Sequence, residues 1–221
     1  MKKPKILYID FGTHEEAQEI SMFLSATATL NAEVIVYGVE AHPIYAESVV
    51  KKFAAFDNVI ILPVAVAAKS EKVELYISES SNGHGNSIFA TKNNVDIEQK
   101  ITVQGIDGGA LISTLMLLHS PDIVVVKYNI EGAEYHLLNS IIDNELQSKI
   151  DIFCGAPSDM HKVAVLKSLE SEFLYYVNQQ GINRKDFFHS LIWEETEEMI
   201  KAMRKNVEKL LIERRQPRLD K

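Results

Sequence analysis

Hydrophobic residues in this chain fall into short, almost unbroken runs, and between the runs they recur every three or four positions. The first run is Ile6-Leu7-Tyr8-Ile9, closed by Asp10. Similar runs lie at 33–39, 58–62, 122–126 and 149–154. Runs of this length with no polar face predict strands buried on both sides of a parallel sheet. The intervening segments carry helical spacing. Ala17, Ile20, Phe23 and Leu24 predict a helix opened by a capping box of Thr13 and Glu16. Pro43 opens a second helix to about Phe56, with Val49, Val50 and Phe53 facing inward. Further helices are predicted at 107–118, 133–144 and 158–180, the last ended by Gly181. Strands that alternate with helices in this way predict a doubly wound, mostly parallel α/β sheet.

Two stretches break the rhythm. Residues 72–77 place Val73, Leu75 and Ile77 at alternate positions, the mark of a strand buried on one face, and 101–106 predicts a strand to pair with it. The Ser-, Gly- and Asn-rich stretch 78–87 reads as a loop, and 78–93 as a lid. Residues 186–193 suggest a final strand, and 194–215 a strongly amphipathic helix with the stripe Met199, Ile200, Met203, Val207, Leu210 and Leu211. The expected architecture is one α/β domain over 1–193, a sheet of about seven strands with an inserted hairpin. A helical tail over 194–221 is expected to pack on that domain or on a second copy in a homodimer.

Composition narrows the function classes. Of 221 residues 46% are hydrophobic, enough for one sizeable core, and the net charge of −8 argues against a nucleic-acid surface. The single cysteine, Cys154, forbids an intrachain disulfide and fits a reducing, cytoplasmic setting. The basic start Lys2-Lys3-Pro4-Lys5 leads into too short an apolar run for a secretory signal, and no membrane span is expected.

Candidate chemistry clusters where the strands should end. In open α/β sheets, ligands sit outside the carboxyl ends of strands. Gly12 follows the first strand and allows close backbone approach, but Glu15 and Glu16 would repel a pyrophosphate, so a dinucleotide or ATP site is not expected. A ligand with an ammonium group and no phosphate fits that turn. Glu40, at the end of the 33–39 strand, is placed to accept bonds from ribose hydroxyls. The fourth run ends in Lys127-Tyr-Asn129-Ile-Glu131-Gly-Ala-Glu134. A buried Lys127 needs a partner, Glu131 or Glu134; a surface ion pair at the exposed strand end is the alternative. His161, just past the 149–154 strand, stands where a general base would sit; His84 lies in the Gly-rich loop. No metal-ligand spacing, nucleophile elbow or P-loop occurs.

In order, these motifs resemble the FkbM-type family of S-adenosylmethionine-dependent methyltransferases over residues 6–161. Tyr8-Ile-Asp-Phe-Gly-Thr-His14 is similar to the family's Asp-x-Gly-Ala-Asn-x-Gly turn, and Val36-Tyr-Gly-Val-Glu-Ala-His-Pro43 to its hydrophobic run into Glu-Pro. Lys127-Tyr-Asn-Ile-Glu-Gly-Ala-Glu134 resembles Lys-x-Asp-x-Glu-Gly-x-Glu. The chain departs from the family at Thr13-His14, at Glu16 and at Asn129.

The resemblance implies a class I methyltransferase-like Rossmann fold and S-adenosylmethionine as cofactor. It also implies O-methylation of a hydroxyl on a small molecule or sugar. Asp10, Gly12, Thr13 and His14 would serve the methionine end, Glu40 the ribose, and Val64 and Ala65 the adenine. His161 or Glu131 would act as base, with Lys127 and Asn129 shaping the acceptor pocket. The departures leave a second expectation, a protein that keeps the fold and binds a ligand or partner without catalysis. An NAD-dependent oxidoreductase has only the fold in its favour.

Overall fold

A computed structural model describes residues 2–78, 84–155, 158–182 and 196–215. Five parallel strands form the central sheet: β1 (Lys5–Phe11), β2 (Glu33–Val39), β3 (Val59–Leu62), β7 (Ile123–Tyr128) and β8 (Ile152–Gly155), in the order β3-β2-β1-β7-β8. The order reverses at β1, where the chain leaves toward β2 on one side and β7 on the other. That is the switch point of a doubly wound, Rossmann-like sheet.

The unbroken apolar runs become the central strands because helices cover both faces. Ile6, Tyr8, Val125 and Cys154 pack with α1 (Gln18–Thr27), α2 (Pro43–Lys52) and α6 (Thr196–Arg215). Leu7, Ile9, Phe11, Val124 and Val126 point the other way, toward α3 (Gly108–His119), α4 (Glu134–Asp143) and α5 (Glu170–Gln179). The stripe of the last helix is thereby assigned: Met199, Met203, Val207 and Leu211 are buried with Ile20, Phe23 and Ala26 of α1. Arg204 fixes the contact by donating from Nε to the Ala26 carbonyl at 3.1 Å.

A second sheet of three strands accounts for the interrupted rhythm. β4 (Ala65–Ala67), β6 (Val95–Asp107) and β5 (Lys72–Ser78) lie in the order β4-β6-β5, with β5 antiparallel to β6. The expected pairing of 72–77 with 101–106 is present, but β6 is longer than the alternation indicated and also takes up β4 in parallel. The described strands thus form sheets of five and three rather than one of about seven. The strand expected at 186–193, and the boundary at 193, lie outside the described residues.

Three local expectations fail. The capping box does not form: the Thr13 hydroxyl donates to the Asp10 carbonyl at 3.1 Å, His14 and Ala17 adopt φ of 57° and 42°, and α1 begins only at Gln18. Val50 is 51% exposed: the buried face of α2 carries Ala46 and Val49, and Phe53 follows it just past the helix end. The helix expected over 158–180 is broken into a 3-10 turn at Ser158–Lys162 and α5. Between them Val163 pairs with Lys92 as a β-bridge and Ala164 N–H donates to the Thr91 carbonyl at 3.1 Å, so that backbone serves the neighbouring loop instead of a helix. Among the described residues, no helix is long and apolar enough to cross a membrane.

Candidate functional site

A cavity of about 110 Å³ opens at the carboxyl ends of β1 and β2. Its lining joins residues far apart in sequence. Gly12, His14, Glu40, Val64, Ala65, Asn129 and Glu131, all expected at a ligand site, come together there. Asp10, Thr13, Lys127 and His161 do not line it.

Glu40 is held rigidly. One carboxylate oxygen accepts from His14 N–H at 2.7 Å and the other from His42 N–H at 2.8 Å. Burial pushes its pKa up, and the bonds from the His42 and His14 amides push back. A carboxylate has roughly four acceptor sites, and these two bonds leave capacity for incoming hydroxyls. Val64, Ala65, Val66 and Leu75 give the same cavity an apolar lining.

Gly12 has φ +82°, and a Cβ there would lie 2.0 Å from the Asn129 carbonyl oxygen. The turn is therefore glycine because the end of β7 passes against it, an internal reason beside the approach of a ligand. Asn129 N–H donates to the Phe11 carbonyl at 2.9 Å, which fixes that crossing. Glu16 is exposed and lies outside the cavity lining, so it does not fill the site.

The polar stretch after β7 divides into separate jobs. Glu134 is fully buried and accepts from the backbone N–H of Ile130 at 2.7 Å and of Gly132 at 2.6 Å, so it shapes its own loop. Glu131 takes φ 56° and stands 3.1 Å from the ammonium of Lys92. Lys92, 4% exposed, also donates to the Gly85 carbonyl and to Asn94 Oδ1. Nothing in its surroundings in sequence marks it, since its apolar cover comes from distant segments. A second space of about 360 Å³ adjoins the first and shares His84, Gly85 and Glu131 with it; Lys92, Asn93, Asn94 and Lys162 complete its lining. The His84 ring stacks on His14 at 4.0 Å, at the junction of the two spaces.

The partner expected for Lys127 is corrected. Neither Glu131 nor Glu134 pairs with it among the described contacts. Its ammonium lies 2.8 Å from Asp10 Oδ1 and 3.7 Å from Glu19. Asp10 and Lys127 are register partners on adjacent parallel strands, facing the same side. Both are buried, and neither lines the cavity. Burial opposes the lysine's charge, but Asp10 and then Glu19 outweigh it and raise its pKa. For Asp10 burial dominates, Lys127 opposes, and Glu19 adds to the rise, to about 6. The 2.8 Å distance places the lysine charge directly against Asp10, while burial, with Glu19 adding to it, keeps the Asp10 pKa above its ordinary value. His161 is also corrected as a base for this cavity: its ring is half exposed and faces Glu170 at 3.7 Å.

No family model matches the chain, and no curated protein matches it. Among solved structures it is similar to the crystal structure of methyltransferase FkbM from Methylobacillus flagellatus KT, at 10% identity and a TM-score of 0.48. The match covers 80% of this chain, which spans only 37% of that one.

Proposed function

We propose that the chain is an S-adenosylmethionine-dependent methyltransferase that methylates a hydroxyl of a small molecule or sugar. The observation that carries this reading is Glu40. It is a buried carboxylate at the end of β2, oriented by two backbone amides, in a cavity also lined by Val64, Ala65, Val66 and Leu75. That arrangement suits a ribose and its base. In this reading Glu40 accepts from the ribose hydroxyls, Val64 and Ala65 lie against the adenine, and the Gly12–His14 backbone meets the methionine end. The bound cofactor would supply an electrophilic methyl group. The space beyond Glu131 carries the polar groups of Lys92, Asn93, Asn94 and Lys162, which suit a hydroxylated acceptor. His84, shared by both spaces, takes the place of His161 as the proton acceptor in this proposal.

A second reading, ligand binding without catalysis, draws on a specific observation. Glu131 is ion-paired with Lys92, His161 is outside the cavity, and Asn129 stands where the family has an acid. One experiment orders the two. The chain is incubated with S-adenosylmethionine and a panel of hydroxylated acceptors while formation of the demethylated product is followed. Turnover that falls at least tenfold in His84→Ala supports the enzyme; binding with no turnover on any acceptor supports the second reading.

A further inference from the structure

Three charged side chains meet beneath the cavity floor. Lys127 comes from β7, Asp10 from β1 and Glu19 from the first turn of α1; the lysine is 2% exposed and Asp10 fully buried. None lines the cavity, yet the same ammonium donates to the Gly12 carbonyl at 3.0 Å, and Gly12 does line it. The rest of that turn is fixed from the β2 side. Gly12 and Thr13 N–H both donate to the Val39 carbonyl, at 2.9 and 3.2 Å, and His14 N–H donates to Glu40. The turn is thus held by its amides from above and by one carbonyl from below.

A charge in this place needs a reason. A buried ion pair is often replaceable by apolar residues of similar volume with no loss of stability. The positions around it on β7 are Val124, Val125 and Val126, so an apolar residue at 127 would continue the pattern. What an apolar residue could not supply is a donor to the Gly12 carbonyl. We propose that Lys127, balanced by Asp10 and Glu19, is a positioning residue: it holds the Gly12–His14 turn, and through His14 the Glu40 carboxylate, in ligand-binding geometry. The inference rests on the reading of this cavity as a nucleoside site. Tyr8 on β1, Cys154 on β8 and Glu40 are close enough to be coupled electrostatically to members of the trio.

The double variant Asp10→Asn/Lys127→Met separates this role from charge balance, because it removes both members of the pair together. The variant is expected to unfold cooperatively with a midpoint no lower than that of the unmodified chain. Its Gly12, Thr13 and His14 amides should exchange about tenfold faster, with β7 amides unchanged, and its affinity for S-adenosylhomocysteine should fall about tenfold. Turn amides that exchange as in the unmodified chain would overturn the proposal. If the unmodified chain takes up no S-adenosylhomocysteine, the nucleoside reading falls while the exchange measurement still judges the positioning. Should the double variant not fold, the unmodified chain supplies the test. A Lys127 ammonium held by Asp10 and Gly12 gives a slowly exchanging nitrogen-attached proton signal by NMR, and its absence overturns the proposal.

Discussion

At Gly12 the backbone conformation and the crossing of β7 leave no room for a side chain. Gly12→Ala must escape both a φ of +82° and a contact of 2.0 Å with the Asn129 carbonyl. The expected cost is about 3 kcal/mol or more, read as a shift in the urea midpoint. The sequence placed Gly12 and Glu40 correctly because each ends an apolar run, and a strand end is visible in one dimension. It also marked Lys127 as a buried charge. It gave the wrong partner, because the nearest carboxylates along the chain are Glu131 and Glu134, while the nearest in space sits 117 positions earlier across a parallel register. Lys92 was invisible for the same reason: Gly85, Asn94, Glu131 and Val163 surround it only after folding.

Elements whose hydrophobic period and end signals agreed came through nearly intact. β2 runs from Glu33 to Val39 as the pattern indicated, and α3 begins at Asp107-Gly-Gly as expected. Asp107 accepts from Ala110 N–H at 2.9 Å and from the Ser140 hydroxyl. Asp107→Ala is therefore expected to cost about 1–2 kcal/mol by denaturant unfolding. Elements went astray where a tertiary bond competed with a local one. Thr13 gives its hydroxyl to Asp10 instead of capping α1, and the 163–164 backbone pairs with 91–92 instead of continuing a helix. The α6 stripe was legible but its partner was not, since any apolar surface could meet it. Met203, 2% exposed against α1, now makes that contact testable: Met203→Ala should cost about 2–5 kcal/mol.

For the molecule as a whole, the buried trio couples three elements and sets a pH dependence. Asp10 holds its proton more tightly folded, at about 6, than its ordinary value of 3.8. Its contribution to stability is therefore full below about pH 4 and is lost as the pH rises through about 6. Over that window the unmodified chain should lose on the order of 2–3 kcal/mol relative to Asp10→Asn/Lys127→Met, measured by urea unfolding of both at each pH. A difference of opposite slope would contradict the assignment of burial as the dominant cause.

The central claim, that the β1–β2 cavity is a nucleoside site governed by Glu40, is tested most directly by calorimetric titration of S-adenosylhomocysteine into the unmodified chain and Glu40→Gln. The account predicts saturable binding to the first and an affinity about tenfold or more lower in the second, since a charge-assisted acceptor is lost. No heat at millimolar ligand, or equal affinity in the two proteins, would contradict it.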